Sequence, residues 1–183
     1  AAARLAEDLA DYTDAERRYR PYLLDAHSQD GVVAATLAMM RIHRHREQWD
    51  LHAASERDLR TAVEAGAGNE FLIDADVERG YRLLAQQDYA AARALLQPLC
   101  PRAVASQRLA ESHFLAGRAC WFLDDRDWAK FHWCWIVKNM PEDRFYMRAR
   151  IAAAAEGMPY PNVELGDFDA SVGNIGTRGI VAA

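Results

Sequence analysis

Chemistry in this chain would rest on six histidines, three cysteines and a charged run at Asp124, Asp125, Arg126 and Asp127. His43 and His45, in RIHRHREQW, stand two apart. On a helix such residues point to nearly opposite sides and do not close on one metal ion, so the pair reads as a solvated basic face. His113 and His132 fall on the two halves of one helix hairpin and meet if it closes; a third ligand there would be Cys120 or Cys134. Helix histidines among aromatic residues are expected to be partly buried structural side chains. Asp124 and Asp125 sit in a turn, where carboxylates cap helices. No Ser, His and acid order, glycine-rich phosphate loop or zinc spacing appears. The sequence therefore predicts no enzyme, no cofactor and no metal.

The elements that must position these side chains are clearest from Ala110 to Pro141. Phe114, Gly117, Cys120 and Trp121 keep helical spacing, the middle is polar, and Ala129, Trp133, Ile136 and Met140 form one stripe. This predicts an antiparallel helix hairpin in which small Gly117 faces small Ala129 and aromatic side chains fill the space beside them.

The hairpin resembles a tetratricopeptide repeat. With Gly117 at the eighth position of that repeat, Ala129 stands at the twentieth, Trp133 at the twenty-fourth, Ile136 at the twenty-seventh and Pro141 at the thirty-second. The preceding stretch repeats the pattern, with Gly80 as eighth followed by Leu83, Tyr89, Ala92, Leu96 and Leu99. Arg79 and Ala116 stand where leucine is usual, Val104 replaces the closing proline, and Trp128 comes two residues late. The resemblance implies an all-α, right-handed α-solenoid of antiparallel hairpins over residues 1–157, closed by a non-helical tail at 158–183.

Other stretches fit the same plan. Tyr12, Ala15, Tyr19 and Tyr22 keep the spacing of a repeat's second helix, so the first helix of that unit is expected to be short or missing, as if the array began earlier. Residues 31–49 predict a long helix, apolar then basic, partnered by 50–65 and ended by Gly66 to Asn69. Tyr12, Trp49, Tyr89 and Trp128 mark the presumed turns at intervals of 37, 40 and 39 residues, longer than the standard repeat. Glu142 to Gly157 predicts a last helix whose Phe145 and Ile151 cover the open end of the final hairpin. From Met158 onward, prolines, glycines and the loss of any helical stripe predict an extended or disordered tail, apolar enough to dock on its own groove or a neighbour.

Composition narrows the function. A net charge of -5 argues against a general nucleic-acid or membrane-surface binder, and no apolar run reaches the length of a membrane span. Cys100, Cys120 and Cys134 lack paired spacing and read as reduced core thiols, which favours the cytoplasm; a periplasmic location after signal-peptide removal is the alternative. Alanine and arginine richness is expected of a GC-rich bacterial source.

What the resemblance implies about binding can be placed residue by residue. In that family the first helices line a concave groove, and the matching positions here are Asp74, Val77 and Tyr81, then Glu111, Phe114, Arg118 and Trp121, with Arg41 and Arg44 on the weaker earlier unit. Arginine beside tyrosine and tryptophan suits an extended peptide. Phe114 and Trp121 have core packing as their alternative role. The expected partner is another protein or peptide segment, held by an adaptor or chaperone, with homo-oligomers also open. A nucleic-acid or regulatory module using Arg41, Arg44 and Arg46 is the second reading, and a small helical enzyme at His113 and His132 the third.

Overall fold

The computed structural model describes residues 2–24, 29–66, 68, 71–103 and 106–155. Every regular element among them is a helix: α1 (Ala2–Asp8), α2 (Tyr12–Leu23), α3 (Gln29–His45), α4 (Trp49–Glu64), α5 (Phe71–Ala85), α6 (Tyr89–Leu96), α7 (Leu99–Arg102), α8 (Leu109–Phe122), α9 (Arg126–Asn139) and α10 (Tyr146–Ala155). The all-α class expected from the sequence is thus the class found. Helix α1 is short, as the opening stretch predicts. The tail expected at 158–183 lies outside the described residues.

The chain forms two compact units, one up to Arg82 and one from Leu83. In the first, α1 packs on α2, α2 on α3 and α3 on α4. Its interior is built by Ala6, Ala15, Met39 and Ile42, and by Val33, Leu37, Met40, Leu59, Val63 and Ala75. In the second, α6 and α7 pack on α8, α8 on α9, and α9 on α10. Trp133, Ile136, Val137, Phe145 and Ala149 lead that core. Phe145 is buried as expected, but Ile151 is 64% exposed, because α10 turns its alanine face inward.

Four turns in the chain have the same backbone. Ala10, Glu47, Gln87 and Asp124 adopt the left-handed conformation, with φ of 59°, 56°, 61° and 61°. In each, the next residue's N–H reaches back to a carbonyl five residues earlier: Asp11 to Ala6, Gln48 to His43, Asp88 to Leu83 and Asp125 to Cys120. The left-handed residue's own N–H bonds three residues back, to Glu7, Arg44, Leu84 and Trp121. This is the Schellman closure of a helix, and it satisfies carbonyls the helix end would otherwise orphan. The residue that completes it is also the N-cap of the following helix. Asp11, Asp88 and Asp125 accept from the backbone N–H three residues on, whereas Gln48 makes no side-chain cap.

The residue four after each N-cap is fully buried in all four cases: Ala15, His52, Ala92 and Ala129. The aromatic residue opening a second helix also stacks alike in both units. Tyr12 lies on His45 at 5.0 Å, and Tyr89 on Phe122 at 4.5 Å. His45 and Phe122 each stand two residues before a left-handed turn residue.

A side chain in the left-handed region costs roughly 1–2 kcal/mol, and glycine adds back part of that through its freer unfolded chain. Glu47→Gly and Gln87→Gly are therefore expected to raise stability by about 0.5–1 kcal/mol each, read from chemical denaturation. Equal or lower stability in both would show that the strain is absent.

Candidate functional site

In the first unit α1, α2, α3 and the start of α5 surround a cleft of about 760 Å³. Its apolar lining comes from Ala34, Ala35, Leu37, Phe71 and Tyr22, and its charged lining from Arg4, Arg18, Arg41 and Asp74. Helix α3 supplies a small-residue floor because GVVAATLAMM places alanines between its buried Val33 and Met40. Tyr22 is 54% exposed at the rim.

The arginines of this wall are held by carboxylates. Arg41 Nε and Nη2 donate to Glu7 at 2.5 and 3.1 Å, and the Tyr19 hydroxyl donates to the same carboxylate at 3.2 Å. Burial alone would raise the Glu7 pKa, but the hydrogen bonds and charge of Arg41 outweigh it and hold the carboxyl below its usual range. Arg18 Nε donates to Asp14 at 2.5 Å. These bonds use one N–H of Arg18 and two of Arg41, out of the five each guanidinium carries. The bonds to Glu7 orient the Arg41 guanidinium at the cleft wall.

Of the residues the sequence nominates, Arg41 and Asp74 come together in this cleft. Arg44 and Tyr81 meet each other instead: the guanidinium lies 4.0 Å from the ring centroid and its Nε is 3.3 Å from Glu78, which is buried. Val77 is fully buried and presents no surface to a ligand. A charged network lies in the same unit. There Glu56 accepts from Arg60 and Arg82 at 3.1 and 2.6 Å, and Arg60 also donates to Asp76 at 2.6 Å.

In the second unit the groove positions are largely covered by the chain itself. Buried Glu111 lies 3.0 Å from Arg108 and accepts from Arg144 at 3.2 Å. Phe114 packs on Phe145 with centroids 5.4 Å apart, and its carbonyl accepts from the Trp133 indole. Trp121 lies beside Trp133 at 6.0 Å with Arg126 over its face at 3.2 Å. Arg118 is half-buried, 5.9 Å from the Phe122 ring. Phe114 and Trp121 thus pack against the core, the role that was their alternative; Phe145 covers this end as expected, while the sequence missed that Arg144 pairs with Glu111.

The histidine expectations divide. His43 is buried and 3.3 Å from the Ser55 hydroxyl, while His45 is exposed and stacked on Tyr12. His113 and His132 do meet, Nδ1 to Nδ1 at 3.0 Å. The third group beside them is Cys100 of α7, whose Sγ is 4.0 Å from His132 Nδ1, rather than Cys120 or Cys134. Nothing in local spacing signals Cys100, because α7 is a single turn between the hairpins.

Compared with protein-family models, curated proteins and solved structures, the chain has no match. Its function must be read from geometry. The sequence had no signal for Tyr19, Tyr22 and Phe71 as cleft residues: the two tyrosines keep the spacing of a repeat's second helix, and Phe71 precedes the first position of its repeat. Among the described residues no helix is long and apolar enough to cross a membrane.

Proposed function

We propose that this chain is a tetratricopeptide-like repeat protein, an adaptor or chaperone whose first unit holds an extended segment of a partner protein bearing apolar and acidic side chains. The observation that carries the proposal is the cleft of about 760 Å³ in which Arg41 and Asp74 meet exposed Tyr22 and half-buried Phe71. That volume is in the range of ligand sites, and the lining joins apolar contact to a few fixed polar groups. Arg18 and Arg41 place guanidinium groups in the lining for an acidic side chain to pair with, although Asp14 and Glu7 offset their charge, so the preference rests on hydrogen bonding rather than on net charge. The repeat arrangement draws support from the four identical turns and from the paired stacks of Tyr12 on His45 and Tyr89 on Phe122.

A nucleic-acid role for the basic end of α3 has less support. Arg41, Arg44 and Arg46 each lie against a carboxylate, of Glu7, Glu78 and Glu16 respectively, so the stretch is largely neutralised within its own unit.

The test is a fluorescence-polarisation titration with short acidic-apolar, basic-apolar and neutral polar peptides of equal length. The acidic-apolar peptides are expected to bind, and Tyr22→Ala and Arg18→Ala to weaken them about tenfold while the melting temperature holds. Equal binding of all three peptide classes, or full affinity in both variants, contradicts the proposal.

A further inference from the structure

The second unit buries three metal-ligating side chains together. One ligand atom each from Cys100, His113 and His132 lies within 4.8 Å of the other two, and each residue is at most 3% exposed. Hydrogen bonding leaves this cluster poorly satisfied. The two imidazoles share one possible bond, Nδ1 to Nδ1 at 3.0 Å, and neither Nε2 meets a partner among the described residues. The thiol has a bond to the Leu96 carbonyl at 3.3 Å. A shared proton also forces the two rings into different tautomers, one of which leaves an unprotonated Nε2 buried without a donor.

We infer that Cys100, His113 and His132 form a three-coordinate site for a monovalent thiophilic cation, copper(I). The geometry needs little change. Three ligands in a plane around one ion, at roughly 2.0 Å to nitrogen and 2.3 Å to sulfur, would separate the two nitrogens by about 3.5 Å and sulfur from nitrogen by about 3.8 Å. The two imidazole nitrogens are 3.0 Å apart, Cys100 Sγ is 4.0 Å from His132 Nδ1 and every pair of ligand atoms lies within 4.8 Å, so shifts of up to about one ångström bring all three onto one ion. On binding, the ion replaces the thiol proton, which leaves to solvent, and both imidazoles take the Nε2–H tautomer with Nδ1 on the metal.

Charge decides between candidate ions. A thiolate with two neutral imidazoles carries one negative charge, so a monovalent ion leaves the buried site neutral, whereas zinc leaves it with an unpaired positive charge. Among the described residues the cluster has three members, and zinc in a closed structural site takes four ligands.

The experiment is an anaerobic copper(I) titration of the full chain against a chromophoric chelator, with X-ray absorption on the loaded protein. One equivalent is expected, coordinated by one sulfur and two nitrogens. A variant carrying C120A and C134A is expected to retain it. Cys100→Ser is expected to lose more than the roughly 100-fold that removal of an outer partner costs a metal site. No binding beyond the chelator, a site with two or three sulfurs, or full affinity in folded Cys100→Ser overturns the inference. So does tighter one-equivalent binding of zinc to the same three residues. The absorption spectrum of wild type settles the ligand set even if Cys100→Ser fails to fold. None of these outcomes bears on the peptide cleft, which lies in the other unit.

Discussion

Gly117→Val is expected to destabilise the protein by roughly 2–3 kcal/mol, and the reason is a tryptophan rather than the alanine across the hairpin. A β-carbon built on Gly117 would lie 2.7 Å from Trp133 Cδ1 and 2.9 Å from Cε2, with Nε1 closer still. The indole cannot easily retreat. Its N–H donates to the Phe114 carbonyl at 3.3 Å, its ring lies beside Trp121, and the residue is 3% exposed. Gly117→Ala sets two effects against each other. The clash costs about 1–3 kcal/mol, and alanine regains about 1 kcal/mol in a helix interior, so a small net loss is expected. In a Trp133→Leu background the clash is gone and the sign reverses, with Gly117→Ala stabilising by about 1 kcal/mol. Denaturant unfolding of the four proteins in that cycle measures it. The same loss in both backgrounds would show that Trp133 is not what Gly117 makes room for.

Acid is expected to weaken the first unit through His52. This residue takes the fully buried position that alanine holds after the other three left-handed turns, and neither ring nitrogen meets a partner among the described residues. Burial pushes its pKa down to about 4 from an ordinary 6.5, with Glu78 and Glu56 pulling upward and Arg82 and Arg44 downward. The sign follows from linkage. Below about pH 6.5 the unfolded chain binds a proton that the folded protein refuses, so stability falls as pH drops from there toward about 4. The loss over that window is at most roughly 3 kcal/mol. The carboxyls of Glu7 and Glu16, held low by their arginines, contribute only once pH falls through their ordinary value of 4.5. His52→Leu keeps the volume and removes the titration. Near pH 5 it is expected to exceed wild type by about 2 kcal/mol beyond any difference at pH 7. Parallel stability curves between pH 7 and 5 would rule out His52 as the sensor.

Much of the architecture is legible in the sequence because helix patterning and turn chemistry are local. Tyr12, Trp49 and Tyr89 are the first residues of α2, α4 and α6, so the aromatic interval does mark the turns. Trp128 is the third residue of α9, because the turn is set by the left-handed residue and its cap, here Asp124 and Asp125. The site was less legible. Arg44 and Tyr81 stand at groove positions, yet Glu78 and the ring itself engage the guanidinium, and no one-dimensional pattern says which carboxylate an arginine will find. Likewise Glu111 and Phe114 sit at groove positions but are covered by Arg144 and Phe145, thirty-odd residues downstream. Arg41 and Asp74 share a cleft because α3 and the start of α5 belong to one unit, while its aromatic lining, Tyr19 and Tyr22 of α2 and Phe71 of α5, could not be read from groove positions of the repeat.

The most direct test of the central claim is an NMR titration of the isotope-labelled full chain with an acidic-apolar peptide that it binds. Shift changes centred on Ala35, Leu37, Arg41, Phe71 and Asp74, saturating with the affinity seen by polarisation, are the predicted result. Saturable changes that leave those residues unmoved and gather around Arg118 and Phe122 of α8 would contradict it.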